Sequence, residues 1–92
     1  MYATIRSYSE SGLADVLVER EGEVKDLIST IDGFRAYYAV RTGAGTTTIS
    51  VFDDQAGAEA STAAAAGWIA ENLQDASFGA PQVSTGEVAV SF

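Results

Sequence analysis

Trp68 and Asn72 lie four residues apart, the spacing at which two side chains share one face of a helix. Set there, the pair either lines a ligand cavity or has a plainer role, with Trp68 covering the core edge or a dimer seam and Asn72 helping to close the helix. Tyr2, Tyr8, Tyr37 and Tyr38 supply phenols able to donate a proton or to orient an aromatic substrate. Their other reading is structural, filling the two faces of a sheet, where aromatic residues concentrate. Arg6, Arg35 and Arg41 fall on strand-like stretches. A guanidinium that faces a cavity can hold a carboxylate or an enolate bidentately. On the surface it pairs with the abundant acids and contributes little. Arg6 shares a strand face with Tyr2 and Tyr8 and is the best placed of the three.

Other groupings are explained by local structure. Asp53 and Asp54 are adjacent, so at a strand end they point apart, and no further acid follows at calcium-loop spacing. Helix capping accounts for them. Gly43-Ala44-Gly45 lacks the lysine, the spacing and the following helix of a phosphate loop, and turn chemistry accounts for it.

Composition narrows the chemistry further. The chain has no histidine and no cysteine, which removes the commonest metal ligand, the commonest acid–base group, thiolate chemistry and disulfides. Five basic residues against 13 acidic ones, net −8, argue against nucleic acid and anionic membrane as partners. The 47% hydrophobic content excludes intrinsic disorder, and 92 residues predict one domain spanning 1–92. A chain this short buries only about 60% of its unfolded surface as a monomer. Much of its apolar content is alanine, so the core is thin and a homodimer would relieve it. No stretch reaches the roughly 20 apolar residues of a membrane helix, and the first residues do not read as a signal peptide. The expected location is the cytoplasm.

The elements that must position these residues follow from periodicity. The first eight residues alternate as a strand, and Ser9, Ser11 and Gly12 break it. Leu13, Val16, Leu17, Val24, Leu27, Ile28 and Ile31 form one helical stripe, ended by Asp32-Gly33. Two strands, Phe34–Arg41 and Thr46–Asp53, flank a turn at Thr42-Gly43-Ala44-Gly45. Both carry apolar groups on two faces: Tyr37 opposes Tyr38, and Ile49 with Val51 opposes Phe52. One face would take the helices, and the other needs a second chain. A second helix runs from the Asp53-Asp54 cap to about Gln74 or Asp75, with a core stripe of Ala56, Ala63, Ala66, Ile69, Ala70 and Leu73. Ala76 to Gln82 reads as a turn segment and Val83 to Phe92 as a last strand. The order strand, helix, strand, strand, helix, strand predicts an α+β, ferredoxin-like βαββαβ antiparallel sheet with two helices on one face.

Over its whole length the sequence resembles the dimeric α+β barrel proteins, and within them the antibiotic biosynthesis monooxygenase-like group. The stretches that carry the resemblance are Asp32-Gly33-Phe34-Arg35-Ala36-Tyr37, Ser50 to Ser61, and Trp68-Ile69-Ala70-Glu71-Asn72-Leu73. The resemblance implies a twofold dimer closed through the open sheet face, with any substrate cavity between sheet and helices. It implies catalytic roles for Asn72 and Trp68, with Asn72 as a hydrogen-bond donor to a substrate oxyanion or peroxy species, and Arg6, placed on its strand face beside the tyrosines, joins them as a candidate catalytic residue. Tyr2, Tyr37 and Tyr38 become the substrate-binding residues. Haem degradation and histidine-based isomerisation in similar proteins need a residue this chain lacks, so the implied activity is cofactor-free oxygenation of an apolar or aromatic metabolite. Two competing expectations stand beside it: a non-catalytic ligand-binding or dimerisation module, and an accessory protein whose acidic surface binds a basic partner.

Overall fold

Alternating burial along Tyr2–Tyr8, with Thr4, Arg6 and Tyr8 inside and Ile5 and Ser7 outside, makes the first strand, β1. A computed structural model of the chain describes residues 1–73 and 79–92. After β1 come helices α1 (Gly12–Glu19) and α2 (Glu21–Ser29), strands β2 (Phe34–Thr42) and β3 (Gly45–Phe52), helix α3 (Gln55–Asn72) and strand β4 (Gln82–Glu87). The four strands form one antiparallel sheet in the order β2-β3-β1-β4. The architecture is α+β, with a four-stranded antiparallel sheet and three helices among the described residues.

All three helices lie over the face that carries Thr4, Arg6, Tyr8, Thr46, Thr48, Ser50 and Phe52. Thr4 Oγ1 donates to the Ala58 carbonyl at 3.2 Å, and the Ala14 N–H donates to Thr46 Oγ1 at 3.2 Å. Phe52, Val24, Ile28 and Ala58 form the buried apolar centre, with Phe34, Tyr37, Leu27 and Trp68 packed around it. Phe34 meets Phe52 edge to face, with ring centroids 5.8 Å apart. Gly57 lets α3 approach closely, because a Cβ there would sit 2.9 Å from Phe52 Cδ2 and 3.0 Å from the Asp32 carbonyl oxygen. At the β2–β3 hairpin, Thr42 pairs with Gly45, leaving Gly43-Ala44 as a two-residue loop.

Three expectations are corrected. The stripe from Leu13 to Ile31 is two helices rather than one. Arg20 leaves helical geometry at φ −112°, ψ 31°. Gly22 follows at once, and a glycine weakens a continuous helix by up to about 1 kcal/mol relative to Ala. The break lets α2 pack against both β2 and α3. The buried face of α3 is also different: Gly57, Ala58 and Ser61 point inward, while Ala56, Ala63, Ala66 and Ala70 are exposed. A run of alanines carries almost no directional apolar signal, so the polar side of the sheet decides which face turns in. Finally, β4 stops at Glu87 rather than Phe92. Its pairing with β1 ends at Tyr2↔Glu87, and the Val88 N–H adds one last bond to the Met1 carbonyl at 2.8 Å. The expected end of α3 near Gln74 or Asp75, and residues 76–78 of the expected turn segment, lie outside the described residues.

The opposite face of the sheet is open. Its register sets Ile5 beside Ile49 and Ile49 beside Tyr38, with Ala3, Ala36, Val51 and Val40 around them. Ile5 is 41% and Tyr38 58% exposed. Among the described residues, no helix is long and apolar enough to cross a membrane.

Candidate functional site

Arg6 is the centre of the polar part of the core. Strand alternation turns it toward the helices, and the antiparallel register sets it opposite Thr48. The next inward residue of β3 is Ser50, and α3 adds Ser61 and Thr62 from above. Arg6 Nε donates to Thr48 Oγ1 at 3.1 Å, Nη1 to Ser61 Oγ at 3.2 Å and Thr62 Oγ1 at 3.1 Å, and Nη2 to Ser50 Oγ at 2.7 Å. The residue is 1% exposed. The expectation that Arg6 pairs with an acid is therefore corrected, whereas Arg35 and Arg41 do pair, with Asp53 and Asp15 at the surface. Among the described residues no carboxylate reaches Arg6. A buried charge needs compensation, and among the described residues it comes from hydroxyl dipoles.

Two phenols share this environment. Burial pushes Tyr8 above the ordinary tyrosine range, and the nearby Arg6 charge works against that push. Tyr37 is likewise raised by burial, against the pull of Arg6. Both are therefore neutral proton carriers at physiological pH. Burial lowers Arg6 from its ordinary value, opposed by Tyr8 and Tyr37. A guanidinium keeps its charge all the same.

These groups form one corner of a cavity between sheet and helices. Arg6, Tyr8, Tyr37 and Thr48 make its polar side; Leu13, Leu17, Val24, Ile28, Trp68 and Ile69 make its apolar walls. Its volume is about 20 Å³, room for about one water molecule. On the other side, Arg6 and Tyr8 border a groove of about 770 Å³ between α3 and β4, walled by Ile69, Leu73, Pro81 and Val83.

The residues singled out from sequence divide accordingly. Arg6, Tyr37 and Trp68 meet at the cavity. Tyr2 lies on the same sheet face but packs against the apolar centre, outside the cavity lining. Tyr38 stands on the open face, away from the cavity. Asn72 is exposed: its Nδ2 donates back to the Trp68 carbonyl at 3.0 Å, and its Oδ1 accepts from Arg20 Nη2 at 2.9 Å. Arg20 in turn lies 5.0 Å over the Trp68 ring. The four-residue spacing of Trp68 and Asn72 therefore produces a local helix bond, with one partner inside and one outside. Asp54 caps α3, its Oδ1 accepting from the Gly57 N–H at 3.0 Å. The hydroxyls of Thr48, Ser50, Ser61 and Thr62 escaped sequence reasoning. Their signal was there: Thr48 and Ser50 alternate in phase with Phe52, and Ser61-Thr62 is the lone hydroxyl pair in an alanine-rich helix.

No protein-family model matches the sequence, and no curated protein matches it. Among solved structures, the chain is similar to a protein of unknown function from Nitrosomonas europaea. The likeness has a TM-score of 0.67 at 20% identity and covers 99% of this chain and 90% of that one. At that identity the likeness speaks to the small α+β fold with its antiparallel sheet and helices.

Proposed function

We propose that the chain is a small-molecule-binding protein of the dimeric α+β barrel kind, taking a compact, largely apolar or aromatic ligand between sheet and helices. The observation that carries this is the cavity itself, where a guanidinium, two neutral phenols and an indole converge on apolar walls. The cavity, at about 20 Å³, is far smaller than the ~150 Å³ that admits a benzene ring, so this reading requires α1 and α2 to give way outward. The break at Arg20 is the natural place for that motion to pivot. Trp68 is the sole tryptophan and lines the cavity, so its emission reports occupancy directly. Titration with p-cresol, cinnamamide and cinnamate should give a saturable emission change with at least one of them. No response to any of the three would end the binding reading.

The sheet order β2-β3-β1-β4 with a divided first helix is read as a variant of the ferredoxin-like plan, dimerised through the open face. The exposed Ile5, Tyr38 and Val40 on that face support the dimer. Sedimentation should give a mass near twice 9.6 kDa, and a stable monomer at micromolar concentration would remove the barrel.

Cofactor-free monooxygenation is the second reading. It is favoured by neutral phenols beside a cation, a set able to protonate and to stabilise an oxyanion in a water-poor site. The exposed position of Asn72 deprives it of the donor the resemblance implied, which ranks it below simple binding. Dioxygen uptake with phenolic substrates distinguishes the two.

A further inference from the structure

We propose that the ligand of this cavity is an anion, a carboxylate or an enolate on an apolar body, and that Arg6 is its counter-ion. The inference rests on the binding reading above and adds the charge of what binds.

Its basis is the contrast between Arg6 and the arginines at the surface. The chain has 13 acidic residues against five basic ones. Arg20, Arg35 and Arg41 each hold a carboxylate in exposed positions, where ion pairs contribute little. Arg6, 1% exposed and in the setting where a counter-charge matters most, has four hydroxyls instead. Hydroxyls satisfy N–H groups but carry no counter-charge, and among the described residues no carboxylate supplies one. A guanidinium carries five N–H donors. The four bonds above leave one on Nη2, and the Tyr8 phenol is a further side-chain hydrogen-bond neighbour of the guanidinium, with which an anion would share it. An anionic oxygen entering from the cavity would take that donor and displace one of the long contacts at 3.1–3.2 Å, leaving the 2.7 Å bond to Ser50 as the anchor. Thr48 and the two phenols would then surround a second oxygen, and the apolar walls from α1, α2 and Trp68 would take the hydrocarbon part.

The test compares two ligands of nearly the same shape, trans-cinnamate and cinnamamide, by Trp68 emission and calorimetry on the full chain at neutral pH. Charge-assisted hydrogen bonds are roughly twice as strong as neutral ones, so cinnamate should bind at least about tenfold more tightly. Arg6→Met should erase that preference, so that the acid and the amide bind with equal affinity. Arg6→Lys, which keeps the charge, should retain a preference for cinnamate, and together with the wild-type comparison it carries the test if Arg6→Met does not fold. Equal binding of acid and amide by the wild type would overturn the anion inference and leave the binding reading intact. A preference for cinnamate that survives Arg6→Met would overturn the role of Arg6. Failure of both ligands while p-cresol binds would overturn the anion inference alone, and failure of all three would overturn the two readings together.

Discussion

Arg6 and Ser61 meet where α3 crosses β1, both fully buried, with Arg6 Nη1 donating to Ser61 Oγ at 3.2 Å. Ser61 in turn gives its own proton to the Ala58 carbonyl at 2.6 Å, which leaves a lone pair aimed at the guanidinium. Thr4 Oγ1 reaches the same carbonyl at 3.2 Å. Beside the apolar contacts of Ala58, Ala64 and Trp68, α3 is thus held on its sheet by directed polar contacts around one cation.

Removing one acceptor from that cluster should be costly. Ser61→Ala leaves a buried guanidinium N–H without its partner, for which a loss of about 1–3 kcal/mol is expected. Ser50→Ala should cost at least as much, since its bond is the shortest to Arg6, at 2.7 Å. Urea denaturation of each variant measures this. Losses below ~0.5 kcal/mol, within the range of ordinary surface substitutions, would show that water replaces the hydroxyl and that the cage does not hold the fold.

Two glycines of α3 should respond in opposite directions. Gly57→Ala places a Cβ against the Phe52 ring and the Asp32 backbone, and overpacking of this kind costs about 1–3 kcal/mol. Gly67 has no such neighbour within 4 Å, so Gly67→Ala should stabilise by about 0.5–1 kcal/mol through helix propensity and chain entropy. Thermal unfolding of the pair gives the answer. Stabilisation by Gly57→Ala would mean that α3 sits farther from Phe52.

The buried phenols set an alkaline limit. In the unfolded chain Tyr8 and Tyr37 ionise near their ordinary pKa of 10.0, whereas burial raises both in the fold. Above that pH the unfolded state has given up protons that the native state still holds, so stability falls as pH rises. Below it both states hold the protons and nothing is lost. Denaturation midpoints measured from pH 8 to 11 should decline at the alkaline end, and the decline should lessen in Tyr37→Phe. An equal decline in that variant would assign the effect to other groups.

The open sheet face makes its own prediction. Tyr38→Asp puts a charge in the middle of the exposed row that Tyr38 forms with Ile49 and Ile5. If the dimer closes through this face, the variant should sediment as a folded monomer with unchanged circular dichroism. A variant that remains dimeric would move the interface elsewhere.

Much of this chain is legible as local chemistry. Alternation located β1, and the Gly-containing turn located β2 and β3 on either side of it, each to within about a residue. Asp54 reads correctly as a cap, and Gly43-Ala44 as a tight hairpin turn. Tyr37 and Tyr38 must part to opposite faces, because successive side chains on a strand always do. These features depend on neighbours along the chain. The division of the first helix at Arg20, the inward face of α3 and the separation of Asn72 from Trp68 are different in kind. An alanine helix has no apolar direction of its own, so its rotation was decided by the hydroxyls and the guanidinium presented by β1 and β3. The fate of Arg6 was decided in the same way. Its strand face could be read from alternation, but its isolation from every described carboxylate arises only when β3 and α3 close over it. Charge balance is a property of three-dimensional neighbours, and the linear order of 13 acids and five bases does not determine it.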